Sequence, residues 1–403
     1  MKVIPSILPE KPSGRVVVIG AGKASARMAE AVESVWGACD GLIITRYGYS
    51  RELLGIRVVE AAHPIPDIEG FKATKEIISI VHGLGKDDFV LSLISGGGSS
   101  LLCAPIDGVS LNDKQAVNQV LLSSGAPIGS MNIVRKHLSK IKGGQLAAYC
   151  YPAKMLNLSI SDVPGDNLSD IASGVTCGED SNSKGALEII RQFKLEFPKN
   201  VLTALRSGSL VVPLNDHRLK YVQNKIISAP IQSLNAAREL AISKGYKVEF
   251  LGDSLEGEAK DEGLKQSELA LRLQANLKVG DAPIILLSGG EFTVSNHKGG
   301  VGGPNAEFAL AAAIHLNGRA GISLICCDTD GVDGGAEVAG AVIGPQTISK
   351  AFRKGLDPLK FLRLNDSHNF FKKIGDQVVT GPTLTNVNDF RAFLIRPIER
   401  KNL

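Results

Sequence analysis

The sequence is poor in the features that nucleic-acid-binding proteins share. Aromatic residues make up only 5% of its 403 residues, so few side chains are available to stack on bases. The 45 basic and 41 acidic residues give a formal net charge of only +4, and no basic block concentrates that charge. We therefore expect no nucleic-acid partner, and we expect any anion-binding site to be local.

Long apolar runs are also absent. No apolar stretch approaches the roughly 20 residues that a membrane-spanning helix needs. The opening residues, MKVIPSILPEKP, lack the apolar core and cleavage pattern of a signal peptide. The sequence therefore predicts a cytoplasmic protein with no membrane partner.

Several catalytic signatures are missing as well. The six cysteines include no CxxC pair and no Cys/His cluster at zinc-ligand spacing, which favours small, reduced core residues. There is no GxSxG nucleophile elbow and no GxxxxGK[ST] phosphate loop. These absences argue against a zinc protein, a serine hydrolase and a Walker-type nucleotide site.

Among the features that are present, the stretch FVLSLISGGGSSLL (residues 89–102) is the most informative. Its apolar first half predicts a buried strand. The residues that follow predict a loop that is almost bare of side chains: Gly96, Gly97, Gly98, Ser99 and Ser100. Ligands of an open α/β sheet bind at the carboxyl ends of its strands, and glycines let an anion approach the backbone N–H groups. We predict that this loop binds phosphate.

The stretch IILLSGGE (residues 284–291) repeats this pattern and ends in the carboxylate of Glu291. Two such elements, in a chain longer than one core usually supports, favour two domains, which we place at residues 1–217 and 218–403. Strands alternate with helices through the first half, which predicts a doubly wound, Rossmann-like, mostly parallel sheet. The second half, whose first strand is predicted at residues 226–229, is expected to form a smaller α/β domain.

The first strand, in RVVVIGAG (residues 15–22), runs into glycines and then into a helix that starts at Lys23. A loose dinucleotide pattern is present, but the second strand ends at Arg46 rather than at an acidic residue that would hold a ribose. Because an arginine there suits a 2′-phosphate, NADP remains an alternative. Lys23 is the more informative residue, since it would add a mobile positive charge beside the N–H groups of a helix N-terminus.

Acidic residues follow two further strands. In SDVPGD, Asp162 and Asp166 flank a Pro-Gly turn that cannot be helical, so both carboxylates can face one concave loop and either can accept a proton. His63 and His137 are weaker candidates for such a base. Residues 131–148 are predicted to form one basic helix.

The second acidic loop, DTDGVDGG, follows a strand predicted at residues 322–327 and carries three carboxylates: Asp328, Asp330 and Asp333. It lacks the bidentate glutamate that an EF-hand places at its twelfth position. Because Mg²⁺ accepts one or two carboxylates together with waters and phosphate oxygens, we expect a magnesium site here.

Nine segments that follow one another along nearly the whole chain resemble the glycerate 2-kinase family, whose regions are called DUF4147 and MOFRL. They are VIGAGKASARMAEAVE, HPIPD, SGGGSSLL, RKHLSKIKGGQLA, SDVPGDNLSDIASGVT, SGGEFTV, GGPNAEFALAAA, DTDGVDGGAEVAGAV and TGPTLTNVNDFRAFLI. The resemblance implies two α/β domains with the active site in the cleft between them. It also implies Mg²⁺-assisted, ATP-dependent phosphorylation of D-glycerate at O2, giving 2-phosphoglycerate.

With this reaction, the candidate residues take the following expected roles. Lys23 stabilises charge on the transferred phosphoryl group, Arg135 pairs with the glycerate carboxylate, and Asp162 or Asp166 orients or deprotonates the attacking hydroxyl. The loop from Gly96 to Ser100 holds phosphate or the carboxylate. The nucleotide and Mg²⁺ are assigned to residues of the second domain: Glu291, Asn305, Asn388, Asp328, Asp330 and Asp333.

One departure from the family pattern is Pro304, where we expect an arginine before Asn305. It puts direct arginine contact with phosphate from this loop in doubt. Because related bacterial proteins carry the name hydroxypyruvate reductase, NAD(P)H-dependent reduction of hydroxypyruvate is the alternative. The sequence does not fix the nucleotide preference or the oligomeric state, for which a homodimer is one option.

Overall fold

The strand VVVIGA (β1, Val16–Ala21) is buried along its whole length, as expected for a parallel sheet that is covered on both faces. It lies in the first of two units into which the computed structural model divides the chain, residues 1–228. The second unit spans residues 229–403. The structure describes residues 3–295 and 299–398, without the side chain of Leu122.

The first unit alternates strands and helices in its first part and is mostly helical between its last two strands. Its elements are α1 (Val3–Ile7), β1 (Val16–Ala21), α2 (Ser25–Trp36), β2 (Asp40–Arg46), β3 (Arg57–Ala61), α3 (Ile68–Val81), β4 (Phe89–Ile94), α4 (Gly98–Leu101), α5 (Leu111–Ser123), α6 (Ile128–His137), α7 (Gln145–Cys150), β5 (Lys154–Ile160), α8 (Ser183–Gln192), α9 (Lys199–Arg206) and β6 (Val222–Ser228).

The six strands of this unit form one parallel sheet in the order β3-β2-β1-β4-β5-β6. This is the strand order of the doubly wound fold, and the order reverses between β1 and β4. The prediction of a doubly wound parallel sheet is confirmed. Since parallel strands end at the same edge, the loops that follow β1, β4 and β5 emerge side by side.

Apolar residues of this sheet, including Ile19, Ile44 and Val90, pack with residues of α3 and α7 in the main core of the unit. A second apolar cluster joins α5, α6, α8 and α9. Local capping defines where some of these helices begin. Asp67 accepts the Gly70 N–H at the start of α3, and Ser110 and Asp113 form a capping box at α5.

The second unit combines short strands with helices. Its elements are α10 (Pro230–Ser243), β7 (Lys247–Phe250), β8 (Leu255–Glu258), α11 (Ala259–Ala275), β9 (Ile284–Ser288), β10 (Gly290–Thr293), α12 (Pro304–Leu316), β11 (Ile322–Asp328), β12 (Gly340–Ile343), α13 (Thr347–Arg353), α14 (Pro358–Arg363), α15 (Ser367–Ile374), β13 (Gln377–Val378) and β14 (Asp389–Ile395).

Its main sheet has the order β13-β12-β11-β14-β9-β7 and is mixed. Only β7 and β9 pair in parallel, whereas the other neighbours are antiparallel. A separate pair, β8 and β10, is parallel. The helix α12 is buried on almost every side, which its sequence PNAEFALAAAIHL permits because alanines allow close packing.

Two predicted elements differ from the structure. The single helix expected over residues 131–148 is two helices, α6 and α7, because Gly143 and Gly144 between them adopt positive φ values of 58° and 81°. The strand expected at residues 226–229 runs from Val222 to Ser228 and pairs with β5 in the first sheet. Among the described residues, no helix is long and apolar enough to cross a membrane.

Candidate functional site

Two loops meet where the strand order of the first sheet reverses. After β1 the chain turns at Gly22 into α2, and after β4 it turns through Ser95 and Gly96 into α4. The Lys23 N–H donates to the Gly96 carbonyl at 2.9 Å, and the Ala24 N–H donates to Ser95 Oγ at 3.0 Å. The two glycine loops that the sequence singled out in the first domain are therefore hydrogen-bonded to each other.

Glycine is required at Gly22 by this close approach. A Cβ there would lie 2.1 Å from Ser95 Oγ and 2.5 Å from the Ser95 carbonyl oxygen, and the φ of Gly22 is 138°. No real Cβ approaches backbone so closely, so a side chain at this position would separate the two loops. The sequence predicted two glycine loops, but it gave no sign that Ser95 accepts a hydrogen bond from the other loop.

The loop after β4 presents unused backbone donors. Gly97 is left-handed, with a φ of 85°, and α4 starts at Gly98. Within the described part of the chain, the N–H groups of Gly96, Gly97 and Ser99 donate to no acceptor. Consecutive free N–H groups in a turn form a concavity that favours an anion. The N–H groups of Gly98 and Ser100 donate to the Ser95 and Gly97 carbonyls instead. The anion-binding role expected of Gly96, Gly97, Gly98, Ser99 and Ser100 stays a prediction.

The side chains of Lys23 and His63 lie over this loop. A Cβ built on Gly97 would be 2.8 Å from His63 Cδ2 and 3.5 Å from Lys23 Cγ. Burial, and after it the positive charges of Lys23 and Arg46, lower the pKa of His63 to about 3. His63 is therefore neutral at physiological pH, and Lys23 is the cation beside the loop.

The segment that follows β5 lies against α4. The Ser173 and Ser99 hydroxyl oxygens are 2.8 Å apart, and a Cβ on Gly98 would be 3.0 Å from the Ala172 Cβ. Ala172 and Ser173 both have left-handed φ values, 49° and 57°. Non-glycine residues rarely adopt this conformation, and strained backbone of this kind is concentrated at functional sites.

Asp162 and Asp166 belong to the first part of that segment. Asp162 lies two residues beyond β5 and is half-buried, and Asp166 ends a short 3₁₀ turn with a φ of 54°. Among the described atoms, Asp166 Oδ1 is buried and has no hydrogen-bond partner. A buried carboxylate oxygen with no donor is costly unless a ligand supplies one, which agrees with the expected role of Asp166 toward a hydroxyl.

Arg135 lies in the last turn of α6, and its helix is tied to the same segment because the Asn132 amide donates to Asp170 Oδ1 at 3.1 Å. The neighbouring basic residues of α6 have structural partners instead. Lys136 pairs with Glu179, and the His137 ring bonds to two serine hydroxyls. Burial lowers the pKa of His137 to about 4. Because both ring nitrogens are engaged by serines, neither is available to accept a proton from a ligand.

In the second unit, the residues expected to bind metal occupy a turn that is rich in hydrogen bonds. Asp328 Oδ1 accepts the Asp330 N–H at 2.8 Å, and Asp330 Oδ1 accepts the Val332 N–H at 2.7 Å. Across residues 3–295 and 299–398, no three His, Cys, Asp or Glu side chains are grouped as metal ligands. The magnesium site remains a prediction.

Asp333 has a structural role that its sequence context did not reveal. Its two carboxylate oxygens accept the N–H groups of Asn305 and Ala306 at 2.9 and 2.8 Å, which caps the start of α12. His368 Nε2 lies 3.1 Å from Asp333 Oδ2 and 2.9 Å from the Asp333 carbonyl oxygen. This capping accounts for the buried Asp333 without a metal.

Asn305 continues this network toward β14. Its amide donates to Asp389 Oδ1 at 2.6 Å, and Asp389 Oδ2 accepts from the Arg391 guanidinium at 2.7 Å. Arg391 is fully buried, donates to the carbonyls of Gly289 and Gly290, and lies 3.7 Å above the Phe292 ring. Burial raises the pKa of Asp389 to about 6, although Arg391 opposes this shift.

The remaining candidates of the second unit differ in exposure. Glu291 is exposed on β10, opposite Glu256 of β8. Asn388 is buried with a φ of 65°, and its side-chain oxygen accepts the Asp389 N–H. A pocket of about 360 Å³ lies beside the start of α12, lined by Val294, residues 300–304, Gly334 and Gly335.

Comparisons with known proteins show the family to which the chain belongs. A domain of unknown function, DUF4147, matches residues 3–206, and the MOFRL family matches residues 284–389. A D-glycerate 2-kinase of Thermotoga maritima is 37% identical over 98% of this chain and 94% of its own length. A glycerate 2-kinase of Pyrococcus horikoshii is 39% identical over 93% of this chain and 86% of its own length.

A solved structure and one more relative bear on the fold and on the alternative activity. The crystal structure of glycerate kinase from Thermotoga maritima matches with a TM-score of 0.84 at 37% identity, covering 98% of this chain and 95% of that one. A protein of Agrobacterium vitis that carries, provisionally, the name hydroxypyruvate reductase is 46% identical over 96% of this chain and 89% of its own length.

Proposed function

Because the chain belongs to the glycerate kinase family that contains DUF4147 and MOFRL regions, we propose that it phosphorylates D-glycerate at O2. The glycerate hydroxyl attacks the γ-phosphorus of ATP, the bond from that phosphorus to the β,γ-bridging oxygen breaks, and the products are 2-phosphoglycerate and ADP. The observation that carries this proposal is the loop at residues 96–99, whose three unused N–H groups lie beside Lys23.

In phosphoryl transfer, catalysis consists mostly of positioning and charge stabilisation. We assign the stabilisation of charge on the transferred group to Lys23. The loop from Gly96 to Ser100 holds an anionic group, and Arg135 pairs with the glycerate carboxylate. Asp162 or Asp166 accepts the hydroxyl proton, with Asp166 supported by its buried oxygen that lacks a donor.

We assign the nucleotide to the second unit. The glycine-lined pocket of about 360 Å³ has a volume within the range of ligand sites. The candidates for polar contacts with the nucleotide remain Glu291, Asn305 and Asn388, although the Asn305 amide already donates to carboxylates of the protein. The first N–H groups of α12 already donate to the Asp333 carboxylate, so they are not available to bind a phosphate at that helix end.

The predicted magnesium ligands of this unit match the oxygen atoms that the ion prefers only in part. Asp328 and Asp330 offer carboxylate oxygens, which Mg²⁺ prefers, whereas Asp333 caps a helix. When bound, the ion would neutralise phosphate charge. A location in the cytoplasm and the oligomeric state stay predictions of the sequence.

The alternative, NAD(P)H-dependent reduction of hydroxypyruvate, is favoured by the strand order and by the name of the Agrobacterium relative. One observation weighs against it. A dinucleotide fold binds pyrophosphate on the N–H groups at the start of its first crossover helix. Here the N–H groups of Lys23 and Ala24, in the turn that leads into α2, already donate to the Gly96 carbonyl and to Ser95 Oγ.

The first experiment is incubation with D-glycerate, ATP and Mg²⁺, with the product identified by phosphorus NMR. We expect 2-phosphoglycerate, and we expect the signal to disappear with EDTA and to return with added Mg²⁺. A parallel incubation with hydroxypyruvate and NADPH follows nicotinamide absorbance. Loss of that absorbance, with no phosphorylated product in the first incubation, would assign the chain to the reductases.

A further inference from the structure

Three cations of the first unit lie close together, and no acidic partner for them is found among the described residues. Lys114 of α5 is 3% exposed, and its only hydrogen bond in the described part of the chain is to the Arg135 carbonyl oxygen, at 3.3 Å. The Arg135 guanidinium reaches Asn132 Oδ1 at 3.4 Å. Lys142, 1% exposed, donates to the carbonyls of Ser99 and Leu102 at 2.5 and 3.0 Å. We call Lys114, Arg135 and Lys142 the cation cluster.

This arrangement is unfavourable for the protein alone. Burial lowers the pKa of Lys114 to about 8 and that of Lys142 to about 7. The positive charges of the cluster act in the same direction, and only the Cys103 thiol opposes them. Lys136, one residue from Arg135, is as deeply buried as Lys114 and Lys142, but it pairs with the carboxylate of Glu179. The buried lysine next to the cluster therefore has an acidic partner, whereas the lysines of the cluster do not have one among the described residues.

The cluster is connected to the loop that has unused N–H groups. Lys142 donates to the carbonyl of Ser99 in α4 and to that of Leu102, which follows α4, and α4 begins within that loop. Lys114 precedes Gln115, whose amide donates to the Pro66 carbonyl at 2.7 Å, in the same loop as His63. Hydrogen bonds thus link Lys142, and the helix that carries Lys114, to the loops that surround the free donors of Gly96, Gly97 and Ser99.

We infer that the cation cluster is the charge partner of an anionic group bound at the loop of residues 96–100, and that Lys114 and Lys142 determine affinity for it. This inference rests on the proposed function, in which Arg135 pairs with the glycerate carboxylate. Two groups have the required chemistry, namely the carboxylate of a small hydroxy acid and a phosphate of the nucleotide. Arginine and lysine bind both.

The sharpest variant is Lys114→Met. A buried cation with one weak hydrogen bond gives up little when an apolar side chain of similar length replaces it, so we expect the melting temperature of the free protein to stay the same or rise. We expect the KM for D-glycerate to rise about 10- to 100-fold, because the bound anion loses the attraction of one buried positive charge. A purely structural lysine would show the opposite, lower stability with unchanged KM.

Lys140→Met is the matched control. Lys140 belongs to the same segment as Lys142 but pairs with the exposed Asp107 at 2.6 Å. We expect its KM values to equal those of the wild type. Arg135→Met serves as a second variant of the cluster, since Arg135 is only half-buried and its replacement leaves no deeply buried gap.

Two measurements separate the outcomes. A higher KM for D-glycerate identifies the carboxylate as the occupant, and a higher KM for ATP identifies phosphate. The increase in melting temperature produced by D-glycerate, and separately by inorganic phosphate, tests the cluster even in a protein that fails to turn over glycerate. Variants of Lys114 and Arg135 that keep both KM values and both temperature shifts would overturn the inference.

Discussion

Replacing Gly97 by alanine tests whether the geometry of the loop of residues 96–100 is responsible for activity. The φ of 85° at Gly97 costs an L-residue roughly 1–2 kcal/mol. In addition, the new Cβ would lie 2.8 and 3.0 Å from ring atoms of His63. One of the two must move, and either movement displaces the N–H groups of Gly96, Gly97 and Ser99 or the imidazole beside them.

Gly108 provides the matched control. Its φ of 81° is nearly the same, but a Cβ there would meet no atom within 4 Å. Both variants should therefore lose about 1–2 kcal/mol of unfolding free energy from backbone strain. Only Gly97→Ala should also lose activity, by about 10²-fold, the size of effect that an atomic displacement near 1 Å produces.

The assay is kcat/KM for D-glycerate at saturating ATP, with the unfolding free energy measured by urea denaturation. The double variant Gly97→Ala with His63→Ala should recover part of the loss if the ring contact is its cause. Wild-type kcat/KM in Gly97→Ala, or an equal loss in Gly108→Ala, would refute the argument that this loop binds a reacting group.

Three further predictions concern single side chains. Lys23→Ala should lower kcat by about 10²–10³-fold while the urea midpoint stays unchanged, and wild-type turnover would remove Lys23 from the mechanism. Since the pKa of His63 is lowered from 6.5 to about 3 in the folded protein, the unfolded chain binds more protons between those values. Stability should therefore fall as the pH decreases from 6.5 toward 3, and His63→Gln should flatten that part of a urea-midpoint profile. Arg391→Met leaves the buried Asp389 without its cation and should cost about 3–5 kcal/mol of unfolding free energy by urea denaturation; a loss below about 1 kcal/mol would contradict it.

Sequence patterns were most informative where an element is defined locally. The apolar runs before Gly96 and before Gly22 predicted β4 and β1, because parallel strands buried on both faces need continuous apolar residues. No pattern showed that these strands are neighbours. The hydrogen bond from Ala24 to Ser95 links residues 71 positions apart, and such contacts are set by tertiary structure alone.

The acidic loop shows the opposite case, in which a local pattern had a distant explanation. Asp333 was grouped with Asp328 and Asp330 because the three are close in sequence, yet it caps a helix that starts 29 positions earlier at Pro304. The available signal was the start of that helix. Gly303 has no side chain to cap it, so a cap from elsewhere in the chain was needed.

The two hydrogen bonds between the loops after β1 and β4 also limit how this scaffold could be redesigned. To make the turn before α2 a pyrophosphate site, the N–H groups of both Lys23 and Ala24 must be released. Ser95→Ala frees the Ala24 N–H, but the Lys23 N–H is held by a backbone carbonyl that no side-chain substitution removes. Acquisition of a nicotinamide cofactor at this position would therefore require a loop of different length after β4. A collection of point mutants would not contain such a variant, so insertions and deletions in this loop are needed.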